Sequence, residues 1–188
     1  MPVRHVLPAL LAFALTAAAA QIPRPAPELS WISANGQKLE LSKYKGKVVV
    51  LEILSTTCPH CQFTARVLTK LQNEFGTKDL QVLGMAINDD ANISEFVRSF
   101  QVGFPAGKGR RDDALGILQH SVMSPFYFPG LIVIDRNGLI QAQYSGADSF
   151  LSEASQEMNL RALLRKMIPA AGGAVKPPAA KPRKKKAS

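Results

Sequence analysis

A strand that has to be buried on both faces constrains this chain before anything else does. Val48-Val49-Val50-Leu51-Glu52-Ile53-Leu54 shows no alternation of apolar and polar residues, and Val48, Val49, Val50 and Ile53 are β-branched. Such a run belongs in the middle of a sheet covered on both sides, so the rest of the chain must supply flanking strands and two layers of helix. The surrounding patterns do so. Trp31-Ile32-Ser33 and Leu39-Glu40-Leu41 flank an Asn35-Gly36 turn and predict a hairpin. Pro59 opens a helix whose stripe is Val67, Leu68, Leu71 and Phe75, ended by Gly76. Leu80 to Ile87 predicts a second buried strand, and Asn92 to Phe100 a helix with Ile93, Phe96 and Val97 on one face. A shorter helix is expected over Asp112 to His120. Leu131 to Ile134 and Leu139 to Tyr144 pair across Asp135-Arg136-Asn137-Gly138, and an amphipathic helix from Leu151 to Met167 buries Leu160, Leu163, Leu164 and Met167. Strands alternating with helices predict an α/β fold, a central mixed sheet flanked by helices with an N-terminal β-hairpin. A length of 188 residues fits one such domain.

The ends differ from this body. Arg4 and His5 precede an apolar stretch from Val6 to Ala20 that finishes in small residues, the layout of a secretory signal peptide over 1–20. The stretch is about fifteen residues, short of the roughly twenty that cross a bilayer as a helix. A linker is expected over 21–27, the folded domain over 28–169, and a disordered Pro/Ala/Lys tail over 170–188, which has too little apolar surface to offset the entropy of ordering it. Six of the formal +9 charges lie in that tail and a seventh is Arg4, so the body carries only +2. Nucleic acid is therefore not the expected partner. The tail suits solubilisation or contact with an anionic membrane or cell-wall surface, and export points to the bacterial periplasm.

Only two cysteines occur, in Cys58-Pro59-His60-Cys61. A disulfide-stapled scaffold is thereby excluded and a redox pair favoured. The motif follows the central strand and opens a helix, where unpaired backbone N–H groups and the helix dipole favour an anion. A thiolate is that anion, so Cys58 is expected to attack and Cys61, one turn deeper, to resolve. His60 can donate to the Cys58 thiolate or place positive charge beside it. Stabilising the thiolate stabilises the reduced form, which tilts the pair towards oxidising its partners. A structural disulfide would close too short a loop to matter. Zinc would need two further ligands, and beyond the leader only His60 and His120 are histidines; no metal and no cofactor are expected.

Glu52 is the one ionisable residue of the buried strand. A buried carboxyl without a partner keeps its proton towards neutrality, and below a thiol pair it can move the proton of Cys61. Phe128-Pro129 precedes a strand, a position where proline is tolerated.

These pieces carry a resemblance. Ala26-Pro27, Asn35-Gly36-Gln37, Leu41-Ser42-Lys43-Tyr44-Lys45-Gly46-Lys47-Val48-Val49, the cysteine motif, and Pro129 to Asp135 followed by Asn137-Gly138 resemble the exported TlpA/ResA-like thioredoxins of the redoxin superfamily, over Ala26 to Met167. The resemblance implies a thioredoxin-like fold and disulfide exchange with thiol- or disulfide-containing proteins, served by an upstream redox partner. It further implies that Pro129 is a cis-proline facing the cysteines, that Phe128 before it shapes selectivity, and that Glu52 is the buried acid. Leu51-Glu52, Ser55 and the Cys-Pro-His-Cys motif look like the redox centre of DsbA-type oxidases, although the 67 residues between Cys61 and Pro129 leave no room for that family's helical insertion. Thr57 stands where the family usually has Trp, and Phe128 where it has Thr or Val, so the partner-facing surface is this chain's own. Two other chemistries share some of the signals. Ser55, three residues before Cys58, suits a peroxiredoxin-like thiol peroxidase, but Leu51 stands at that branch's motif proline. A Cu(I) metallochaperone could use the dithiol, but no Met-rich cluster accompanies it.

Overall fold

In the computed structural model, which describes residues 21–168, the seven-residue apolar run becomes the central strand of an eight-stranded sheet. The strands are β1 (Arg24–Pro25), β2 (Ser30–Ser33), β3 (Lys38–Glu40), β4 (Val48–Leu54), β5 (Leu80–Ala86), β6 (Ala106–Lys108), β7 (Gly130–Ile134) and β8 (Leu139–Tyr144). Their order in the sheet is β1-β8-β7-β4-β5-β6-β2-β3. Every residue of β4 is buried, and Leu51 stands opposite Leu83 of parallel β5 on one side and Ile132 of antiparallel β7 on the other. The helices are α1 (Pro59–Phe75), α2 (Ile93–Phe100), α3 (Arg111–Leu118) and α4 (Gln156–Met167).

Because side chains alternate across a strand, β4 divides its residues between two cores. Val48, Val50 and Leu54 pack with Leu68 and Leu71 of α1, Phe96 of α2, and Leu160 and Leu164 of α4. Val49, Leu51 and Ile53 pack on the other face with Trp31, Leu39, Ile117 and Leu118. Each fully buried leucine here contributes about 1.5–3 kcal/mol relative to an exposed one. Glu52, in register with Val50 and Leu54, therefore faces the α1 side.

Local chemistry explains most element ends. Asn92 caps α2 by accepting from the Glu95 N–H at 3.0 Å. The β7–β8 turn is held by Asp135, whose Oδ1 accepts from the Asn137 and Leu139 N–H groups, both at 2.9 Å, with Gly138 at φ +82°. Among the described residues no helix is long and apolar enough to cross a membrane. The signal peptide expected over 1–20 and the whole of the tail expected over 170–188 lie outside the described residues, as does residue 169.

Several details depart from expectation. The segment expected as a linker, 21–27, contains β1, which pairs with Leu139 and Ile140 of β8. Its anchor is Arg24, whose Nη2 donates to the Ile117 carbonyl at 2.6 Å and to Gln143 Oε1 at 2.8 Å. A two-residue strand held by one guanidinium leaves no periodic signal. Neither does β6, where Gly107 admits the backbone of β2: a Cβ there would lie 2.2 Å from the Ile32 carbonyl oxygen. The closing helix starts at Gln156, not Leu151. Residues Ser149–Leu151 form a separate 3-10 turn, capped by Asp148, whose Oδ1 accepts from the Phe150 N–H at 2.8 Å. Of the four residues expected to be buried by this helix, Leu160 and Leu164 are, while Leu163 and Met167 are half-buried.

Candidate active site

The site forms where β4 ends, and backbone geometry shapes it. Cys58 is the N-cap of α1, extended at φ −81° and ψ 118°, and Pro59 occupies the first turn, where its missing N–H costs nothing. The Cys58 N–H donates to the Ser55 carbonyl at 3.2 Å, and the Cys58 carbonyl accepts the first helical bond from Gln62 at 3.1 Å. Cys58 is half-exposed, Cys61 is fully buried, and both are free thiols. Reach and protection are thus divided between the two sulfurs.

Beneath them lies Glu52, at 0% exposure and with neither carboxyl oxygen hydrogen-bonded. Burial pushes its carboxyl well above the usual carboxylate range, and negative charge on Cys58 pushes it the same way. The Cys61 thiol is pushed far up by burial first, then by Glu52, against a backbone hydrogen bond from Ser55 that favours its thiolate. The two groups repel each other's charge, so at most one ionises easily and they titrate as a pair.

The loop before Cys58 is pinned from below. Asn88, just past β5, accepts from the Thr56 N–H through Oδ1 and donates to Thr56 Oγ1, each at 3.1 Å. Gln62 Nε2 donates to the Thr56 carbonyl at 3.0 Å. Thr57 is exposed, its hydroxyl 3.1 Å from that of Ser55. Asn88 was not among the residues singled out by sequence. The signal that could have found it is positional, since it follows the C-terminal end of a central parallel strand, the edge where sites form in such sheets.

His60 is half-buried in the first turn of α1. Its Nε2 lies 2.8 Å from the Leu151 carbonyl oxygen, which can only accept, so that nitrogen carries the proton. This bond forms because the 3-10 turn before α4 reaches the first turn of α1, and it leaves Nδ1 as the nitrogen available for other partners.

The Phe128–Pro129 peptide bond is cis. Gly130 begins β7 opposite Ile53, so Pro129 stands at the same sheet end as the loop leaving Leu54. Phe128 is half-buried and meets Phe126 edge-on at 4.9 Å. Just upstream, Val122, Met123 and Tyr127 are 73%, 90% and 57% exposed. One sheet end thus carries Thr57, Cys58, Pro59, His60, Phe128 and Pro129, with Cys61 and Glu52 buried behind them.

The profile of the redoxin family matches residues 21–158. The chain belongs to the redoxin family. Among relatives of this redoxin is a thiol-disulfide oxidoreductase, ResA, of Bacillus thuringiensis, 25% identical over 150 residues covering 79% of this chain and 80% of that one. The thioredoxin-like protein YneN of Bacillus subtilis is 29% identical over 140 residues, 72% of this chain and 77% of its own. In three dimensions this redoxin is similar to the thioredoxin domain of a thiol-disulfide oxidoreductase from Bacteroides vulgatus, with a TM-score of 0.62 at 20% identity, covering 78% of this chain and 96% of that domain. The thioredoxin-like α/β fold, a mixed sheet between helices, is therefore the fold of this redoxin.

Proposed function

We infer that this redoxin is an exported thiol-disulfide oxidoreductase that exchanges disulfides with protein substrates through Cys58 and Cys61. The observation that carries the reading is a half-exposed cysteine at a helix N-cap backed by a buried partner one turn on. In the reducing direction the Cys58 thiolate attacks a substrate disulfide, forming a mixed disulfide and expelling one substrate thiolate, which takes up a proton. Cys61 then gives its proton to the Glu52 carboxylate and attacks Cys58. The Cys58–Cys61 bond forms as the bond from Cys58 to the substrate breaks, the second substrate sulfur leaves as a thiolate that takes up a proton, and two electrons have passed to the substrate. Oxidation of a dithiol substrate is the same sequence reversed, with an upstream redox partner resetting the pair. Phe128, Pro129 and Thr57 line the approach of an extended substrate, and the exposed Val122, Met123 and Tyr127 continue that uncharged border.

The position of Cys58 at the N-cap of α1, the helix end whose free N–H groups favour an anion, supports an oxidising direction for the pair. The leader over 1–20 supports delivery to the periplasm, and the basic tail suits an anionic membrane or cell-wall surface. The experiment is catalysed reduction of insulin disulfides by the mature protein with a dithiol reductant, alongside equilibration with glutathione. Turnover that needs both cysteines supports the reading. Rapid consumption of hydrogen peroxide with Cys58 oxidised to sulfinic acid, and no insulin turnover, would replace it with a peroxidase.

A further inference from the structure

Helices α1 and α4 meet along a seam of Leu68, Leu71, Leu160 and Leu164, yet at its upper end the buried side chains are Thr64 and Gln156, each at 0% exposure. Thr64 Oγ1 donates to Gln156 Oε1 at 2.9 Å. Gln156 Nε2 donates in turn to the Leu151 carbonyl at 3.2 Å. That carbonyl also receives His60 Nε2 at 2.8 Å. A carbonyl oxygen has two lone pairs, so both donors are served at once. His60 and Thr64 are four residues apart on one face of α1, which closes the chain of bonds: two side chains of α1 grip one carbonyl, the first directly and the second through Gln156.

We propose that Gln156 is a positioning residue for the redox pair, holding the Leu151 carbonyl where it fixes the imidazole of His60, two residues from Cys58. Two apolar side chains would fill the same seam without needing partners, and buried polar groups are costly unless their bonds are made. Here every bond leads to one backbone oxygen whose remaining contact is the active-site histidine. Fixing Nε2–H on a carbonyl sets the tautomer, leaving Nδ1 as the basic nitrogen. Positive charge on an imidazole held in one place, two residues from the first sulfur, stabilises the thiolate more than on one free to swing away, and hence the reduced form of the pair. A side chain on α4, in contact with neither sulfur, thereby helps set the redox poise.

The inference rests on the disulfide-exchange reading, and one titration separates the two. Equilibration of the mature protein with reduced and oxidised glutathione exchanges two glutathione thiols for one glutathione disulfide as the Cys58–Cys61 bond is reduced. If the unaltered protein forms no reversible Cys58–Cys61 disulfide, the exchange reading fails. If it does, Gln156→Leu is expected to lower the equilibrium constant for reduction roughly threefold to tenfold, about 15–30 mV more reducing at about 30 mV per decade. The nitrogen-15 signals of His60 are expected to move from one Nε2–H tautomer towards a mixture. In a His60→Ala background, Gln156→Leu is expected to change the constant less than about twofold. The proposal is overturned if Gln156→Leu alone stays within twofold of the parent, or if its effect is the same with and without His60, which would mark a purely structural role. Should Gln156→Leu fail to fold, Thr64→Val, the same shape without the hydroxyl, is judged by the same two criteria.

Discussion

Glu52 and Cys61 place the unusual energetics of this redoxin in two side chains. A carboxyl with no hydrogen-bond partner at 0% exposure disfavours its own ionised form. Because its ionisation is pushed up in the folded protein by burial, its contribution to stability is full below the unfolded carboxyl range, near 4.5, and is lost as pH rises through the folded value. Glu52→Gln is therefore expected to match the parent in denaturant unfolding near pH 4 and to become the more stable protein at higher pH. The gap opens by at most about 1.4 kcal/mol per pH unit; a parent that gains on the variant as pH rises would contradict the assignment. The same substitution removes the acceptor for the Cys61 proton. Resolution of a preformed mixed disulfide should slow by about 10²-fold at neutral pH, readable by rapid mixing and mass spectrometry. Cys61→Ser should go further and accumulate the mixed disulfide on Cys58, whereas Cys58→Ser should accumulate none.

At the scale of elements, the strands and helices that bury a periodic face were legible, and those held by single contacts were not. The uninterrupted run of β4 could only be central, and Pro59 and Gly76 bracket α1 because one suits a first turn and the other a stop. Glu52 was legible as the one charge in that run. What escaped was tertiary in origin: β1 depends on Arg24 reaching Ile117 across the molecule, and β6 depends on a glycine under the β2 backbone. The Leu151 carbonyl could not be foreseen as the partner of His60, since 91 residues separate them and a backbone oxygen leaves no mark in the sequence. Gly107→Ala tests the second of these, because its Cβ would lie 2.2 Å from the Ile32 carbonyl oxygen. The β2–β3 hairpin should loosen at a cost of about 1–3 kcal/mol. Trp31, the only tryptophan, donates from Nε1 to the Gly84 carbonyl at 2.9 Å, so its fluorescence reports that edge directly. An unchanged tryptophan signal and unfolding midpoint would show that β2 does not need the close approach.

Over the whole molecule, the six basic residues of 170–188 outweigh the body, whose charge is mixed at both ends of the sheet. Lys45, Lys47, Lys78 and Arg136 lie beside the ends of β4, β5 and β7 that point away from the cysteines, with Asp79 paired to Arg136 at 2.8 Å, whereas Asp89, Asp90, Asp148 and Glu153 lie at the cysteine end with Lys108, whose Nζ donates to the Asp89 carbonyl. Binding of a protein of residues 21–188 to vesicles containing phosphatidylglycerol should accordingly fall with salt, and truncation after Pro169, which removes six basic residues, should weaken it roughly a hundredfold or more. Equal binding by the truncated protein would assign any attraction to the body alone. Helix α4 runs parallel to α1: Gln156 meets Thr64 near the cysteines, and Arg161 meets Glu74 at 2.7 Å at the far end. The described residues consequently end at Ile168, on the side remote from the sulfurs. Were the tail to rest on a charged surface, the molecule would stand on its base with the reactive sulfur uppermost, free to meet proteins arriving from the open side.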